Sequence, residues 1–135
     1  SPRFTTSLLL LRKGRANPPH AHDSTVSAHY VLRGQLRARH FERVRDEPGH
    51  ILLRPTIDRG VGPGAATSVS DQRDNVHWHV AEADSVLLDI MWMGIDPSRP
   101  PSTRFVDPVR ADKVAEGVLR APRIESAEEA LARFG

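Results

Sequence analysis

The sequence predicts an all-β domain, a sandwich or barrel of short strands with a short helical tail. Three observations carry this. Short apolar runs are separated by Gly, Pro and Asp turns through the first three quarters of the chain. Leu36 to Val44 alternates cleanly, with Leu36, Ala38, His40 and Glu42 on one face and Arg37, Arg39, Phe41 and Arg43 on the other. The chain has 135 residues, which at ~150 residues per domain is one domain with one modest core.

Taken in order, Phe4 to Arg12 is an apolar run expected to be a strand covered on both faces, closed by a Lys13-Gly14 turn. Val26 to Leu32 is a second strand. Gly34-Gln35 makes a tight connection, because Gly tolerates the positive φ a hairpin wants. The alternating strand follows, and Asp46 to Gly49 turns the chain into a short strand over His50 to Arg54. Pro55 to Ala66 holds three glycines and two prolines and reads as a loop. Thr67 to Ser70 pairs briefly, and Val76 to Val80 and Val86 to Met93 are the last strong strands. Asp96 to Pro101 carries three prolines and ends the strand region; residues 1–95 are the expected barrel and 96–135 the Pro-rich connection and tail. Val109 to Leu119 has partial helical spacing, and Ser126-Ala127-Glu128-Glu129 is a capping box opening a helix to Phe134. Ala127, Ala130, Leu131 and Phe134 give that helix an apolar stripe, expected to pack on the barrel or on a partner subunit.

Composition excludes several classes. At 39% hydrophobic and 27% charged residues the chain is not wholly disordered, and its longest aliphatic run, Leu8 to Leu11, is far short of the ~20 residues of a spanning helix. No cysteine is present, so disulfides, thiolate metal sites and cysteine nucleophiles are absent. Arg37, Arg39, Arg43 and Arg45 are interleaved with Glu42, Asp46 and Glu47, and the net charge is only +2, which argues against nucleic-acid binding. Ser1-Pro2-Arg3 carries no secretory pattern; the cytoplasm is the default expectation, and the non-Met start suggests a trimmed or excised fragment.

Histidine is the informative residue type, with seven in the chain. His20 and His22 are two residues apart, so in extended backbone both imidazoles point to one side. That is half of a metal site, and a third ligand must come from a distant strand. His77 and His79 form a second such pair, with Trp78 on the opposite face. Three nitrogen ligands suit Fe, Mn, Ni, Cu or Zn.

Pro19-His20-Ala21-His22, followed by Tyr30-Val31-Leu32-Arg33-Gly34-Gln35-Leu36 and preceded by Gly14, resembles the first motif of the cupin superfamily. The resemblance spans about residues 5 to 95. It implies a double-stranded β-helix (jelly-roll) barrel holding a metal inside, usually as a homodimer, with His20, His22 and His77 as ligands. The motif's usual Glu ligand is missing: Val26 and Ser27 occupy its window, and Asp23 adjoins His22 and should point away. The usual Pro and Gly before the second-motif histidine are missing too, in Asp74-Asn75-Val76-His77. A three-histidine site without Glu resembles that of the thiol dioxygenases, and Asn75-Val76-His77 and Leu88-Asp89-Ile90 are similar to their N-terminal-thiol branch.

The resemblance implies a non-haem iron(II) dioxygenase taking O₂ and a small thiol or other chelating anion, with Fe(II) as cofactor and Zn, Mn or Ni as alternatives. A Zn- or Mn-dependent isomerase or lyase, or a non-catalytic small-molecule-binding cupin, is the competing reading. His40 shares its strand face with Leu36 and Ala38 and is a pocket or alternative-ligand candidate. His79 points as His77 does, and Tyr30 completes the candidate catalytic set, with a core role as its alternative. His29 and His50 read as structural. Arg33, Arg37, Arg39 and Arg54 are candidates to hold a substrate carboxylate, although strand parity puts Arg37 and Arg39 opposite His40.

Overall fold

In a computed structural model, residues 2–135 are described. Eleven strands and one helix follow in chain order: β1 (Arg3–Leu11), β2 (Ala16–Asp23), β3 (Thr25–Arg33), β4 (Leu36–Glu47), β5 (His50–Val61), β6 (Ala66–Val69), β7 (Val76–Ala81), β8 (Ser85–Met93), β9 (Ser102–Val106), β10 (Asp112–Ala115), β11 (Val118–Ile124) and α1 (Ala127–Phe134). A four-stranded sheet runs β1-β8-β3-β6, and a seven-stranded sheet runs β10-β11-β5-β4-β7-β2-β9. Because β11 also pairs with β9, six strands of the larger sheet close on themselves as an antiparallel barrel. The expected jelly-roll barrel with a C-terminal helix is therefore present.

The strands β2, β4 and β7 separate two compartments. Ala21, Phe41, Ile51, Leu53, Val76, Val106 and Ala121, drawn from all six barrel strands, form one apolar cluster. Ala21 and Val76 alternate with His20, His22 and His77, so the histidines point the other way, towards the four-stranded sheet. Val31, Leu36, Ala38, Val61, Ala81 and Leu87 pack a second apolar cluster on that side, with Leu9 and Leu11 of β1 against it.

Several elements differ from the sequence expectation. Pro55 to Ala66 is mostly strand: β5 pairs with β4 from His50 to Val61. Pro55 fits because the register shifts beside it, and β11 pairs only with His50 to Leu53, leaving the outer side of Pro55 without a strand partner. Val109 to Leu119 is not helical but enters the β10–β11 hairpin, turned at Gly117 with φ 70°. Strand structure thus continues past residue 95, since β9 pairs with β2 and β11 with β5. The apolar run of β1 is an edge strand, largely exposed rather than covered on both faces.

The helix forms as expected. Ser126 Oγ caps it by accepting from the Glu129 amide at 3.1 Å, and Ala130 is fully buried. It lies on its own barrel: Phe134 meets the Trp78 ring at 5.3 Å, and Arg133 donates to Asp107 at 3.0 Å.

Gly34 joins the two halves of the first motif at φ 94°. A Cβ there would collide with the Asp84 carbonyl oxygen and Ser85, whereas Gly14, at φ 84°, has open space around it. Gly14→Ala should cost ~1 kcal/mol from backbone conformation alone. Gly34→Ala adds displacement of the β7–β8 turn and should cost ~3 kcal/mol or more. Urea unfolding of the two variants checks the difference; equal losses would contradict the packing described.

Candidate metal centre

Three strands deliver the cluster. His20 lies in register with His77 across β2 and β7, and His77 in register with His40 across β7 and β4, which makes one row of imidazoles. Two residues along, His22 and His79 extend the row on the same side. The ligand nitrogens of His20, His22 and His77 all lie within 4.8 Å of one another. His20 Nε2 and His22 Nε2 are 3.1 Å apart. Two nitrogens at ~2.1 Å from one ion, at angles between octahedral and tetrahedral, stand ~3.0–3.4 Å apart, so the pair has the separation of cis ligands.

Hydrogen bonds orient these rings. The Pro18 carbonyl only accepts, so His20 Nδ1 donates to it at 2.6 Å and the neutral ring keeps its lone pair on Nε2. His22 Nδ1 is 3.2 Å from Thr103 Oγ1. Asn75, fully enclosed, donates to the His22 carbonyl at 2.8 Å and to the Ser70 carbonyl at 3.0 Å, tying β2 to the loop before β7. His77 is completely buried, and neither of its ring nitrogens has a partner. A buried imidazole with two unpartnered nitrogens fits a ligand role, since leaving it bare costs ~1–3 kcal/mol.

Burial keeps the rings uncharged. It lowers the His20 pKa to about 4 and the His22 pKa to about 3, with neighbouring imidazoles adding to the effect. His77 and His79 are held well below the ordinary histidine value for the same reason. All four are neutral at pH 7, the form in which imidazole coordinates a metal.

His40 and His79 reach this compartment as expected. Both are fully buried, with Nε2 atoms 3.2 Å apart, and Thr67 Oγ1 is 3.5 Å from His79 Nε2. Tyr30 does not: it is on the outer face of β3 and exposed, because the inward positions of that strand are Ser27, His29 and Val31. His29, expected to be structural, faces the cluster instead. Its ring centroid lies 5.3 Å from His77 and 4.8 Å from His79, and its Nε2 is 3.4 Å from Asp89 Oδ1. Burial raises the Asp89 pKa. Strand parity with Ser27 is the sequence signal that could have found His29. Ser27, in the window of the missing Glu, is buried with an unpartnered hydroxyl.

His50 sits at the turn into β5, away from the cluster. Of the arginines, Arg37 pairs with Asp58 and Arg39 stacks over Trp78 at 4.8 Å on the far side of the sheet, while Arg33 and Arg54 are exposed. Different arginines approach His22: a cavity of about 250 Å³ is lined by His22, Asp23, Arg43, Arg45, Asp46, Asp71 and Arg99. Arg43 donates to Asp23 at 2.7 Å and Arg99 to Asp71 at 2.9 Å. Asp23 is thus held in this outer ion-pair network, off the cluster.

No protein-family model matches the chain, and no curated protein matches it. Solved structures do. KdgF from Halomonas sp. is 21% identical with a TM-score of 0.51, over 67% of this chain and 69% of that one. The pro-11S globulin of pumpkin is 16% identical with a TM-score of 0.56, over 76% of this chain and 23% of that one. An oxalate oxidase is 16% identical with a TM-score of 0.53, over 76% of this chain and 45% of that one. The chain thus covers less than half the length of the globulin and of the oxidase. At these identities the likeness is one of fold. The chain has a jelly-roll β-barrel fold like that of these structures, and His20, His22 and His77 form a cluster that could hold a metal ion.

Proposed function

We propose that the protein is a metal-dependent cupin in which His20, His22 and His77 hold iron(II), and that it is a dioxygenase for a small thiol or another chelating anion. The observation that supports this reading is the ligand set: three neutral imidazoles converge, with no carboxylate in the cluster. Neutral ligands leave a 2+ charge uncompensated and coordination positions open, and a thiolate or enolate answers both. Iron(II) bound there supplies the electronic chemistry with O₂.

The chain supplies position and dryness. The Pro18 carbonyl fixes the His20 tautomer, and Asn75 fixes the backbone that carries His22. His40 and His79 wall the compartment with neutral groups able to donate or accept a hydrogen bond to a bound anion. Of the three cluster histidines, His22 lines the outer cavity beside Asp23, Arg43 and Arg99, the side from which a small anion would enter.

One observation favours a second reading, a Zn- or Mn-dependent isomerase or lyase. The His29–Asp89 pair faces the same compartment and offers an imidazole and a raised-pKa carboxyl for proton transfer. Oxygen uptake with a panel of small thiols and chelating anions separates the two. Fe(II)-loaded protein should consume oxygen and Zn-loaded protein should not, because Zn has no redox chemistry. Equal substrate turnover by the Zn-loaded protein would replace the dioxygenase with the Lewis-acid enzyme.

A further inference from the structure

We infer that His40 and His79 hold a second divalent ion, of the zinc and copper class, beside the one proposed at His20, His22 and His77. The two rings come from adjacent strands: in the pairing of β4 with β7, His40 stands opposite His77 and Ala38 opposite His79. Both are fully buried, and their Nε2 atoms lie 3.2 Å apart, against 3.1 Å for His20 and His22. This is again the ~3.0–3.4 Å separation of two cis ligands on one ion. Thr67 of β6 brings a third lone-pair atom to the same point, with its Oγ1 at 3.5 Å from His79 Nε2.

The first centre does not account for this pair. The His77 ring centroid lies 4.1 Å from that of His20 and 5.4 Å from that of His22, but 6.2 Å from that of His40. The compartment therefore divides into a cluster of three imidazoles and a pair. His29 joins neither set, since its Nε2 turns to Asp89 at 3.4 Å. The pair has two protein nitrogens and the nearby Thr67 hydroxyl, which leaves the remaining positions on an ion to water or to an added ligand.

The surroundings of the pair admit a cation. Burial, the largest influence on both rings, lowers their pKa values and keeps them in the uncharged form that coordinates a metal. Asp74, buried between β6 and β7, favours positive charge at His40 more strongly than Arg59 opposes it. Thr67, Asp74, Arg59 and Arg73 line a cavity of about 320 Å³ that shares no residue with the cavity beside His22, so the second ion has its own way in. Imidazole nitrogens bind copper and zinc more tightly than iron or manganese, which sets the class of ion. An ion here would put a second positive charge on the wall of the compartment and help hold a chelating anion. The inference itself needs neither iron at the first centre nor dioxygenase activity.

With two imidazoles rather than three, the second ion exchanges readily and is lost on desalting, so it is counted at equilibrium. Metal-free protein is dialysed against micromolar Zn(II) at pH 7.5, and the zinc bound per chain is measured in variants with an unchanged far-UV spectrum. About two ions are expected in the wild type and in His50→Ala, which removes a histidine distant from both sites. About one is expected in His40→Ala and in His79→Gln, and about one in His77→Ala, which loses the first ion and keeps the second. A wild type with one ion that disappears in His77→Ala overturns the inference, leaves His40 and His79 as a hydrogen-bonded pair and spares the first centre. One ion that His77→Ala keeps and His40→Ala loses upholds the inference and overturns the first centre instead. Two ions in a folded His40→Ala or His79→Gln protein overturn the inference, because the extra ion then sits elsewhere. If neither of those variants folds, His77→Ala decides: one ion upholds the second site, and none overturns it.

Discussion

Metal-free protein is expected to lose its stability steeply as the pH falls from 6.5 towards 4. The cause is the set of imidazoles that folding buries uncharged. In the unfolded chain each histidine takes up a proton near pH 6.5. In the folded chain burial lowers His20 to about 4, His22 to about 3 and His29 to about 4, with His77 and His79 well below the ordinary value. Between those limits the unfolded state binds more protons, so stability is complete above pH 6.5 and drains away below it. Each such group removes ~1.4 kcal/mol per pH unit, and His20, His22 and His29 together remove ~4 kcal/mol per unit. A domain holds only ~5–15 kcal/mol in all, so one to three pH units suffice. Tryptophan fluorescence followed against pH in the presence of a chelator should give an unfolding midpoint between about 4 and 5.5. A bound ion occupies the lone pairs that protons seek and should move the midpoint lower. Metal-free protein that keeps its full urea stability at pH 4.5 would contradict the burial of neutral imidazoles.

The parts of the fold visible in the sequence are those decided locally. The alternation from Leu36 to Val44 predicts β4 with His40 inward, the capping box at Ser126 predicts the helix, and the two-residue spacing of His20 and His22 puts both on one face. What stays hidden is decided by packing between distant segments. Pro55 interrupts a pattern that β4 restores by pairing through it, and Val114 and Val118 have helical spacing but are drawn into a hairpin because β11 finds β5 and β9. His29 and Tyr30 escape the sequence reading together. An amphipathic strand normally turns its apolar set inward, but in β3 the set Val26, Tyr30 and Leu32 faces out, while Ser27 and His29 face in. The reversal gives that sheet a polar inner face towards the site and an apolar outer face.

Whether His20, His22 and His77 share one ion is tested most directly by the metal content of matched variants. Loss of an outer hydrogen-bond partner alone typically costs ~10–100-fold in metal affinity, so loss of a ligand should cost ~100-fold or more. Iron, zinc, manganese and nickel are measured in wild-type protein reconstituted with each ion and desalted, beside His22→Ala, His77→Ala and His40→Ala. A shared ion predicts close to one ion per chain in the wild type and in His40→Ala, and almost none in His22→Ala or His77→Ala, with all four folded at pH 7.5. Full metal content in His77→Ala together with its loss in His40→Ala would contradict it, and would move the centre to the pair of His40 and His79.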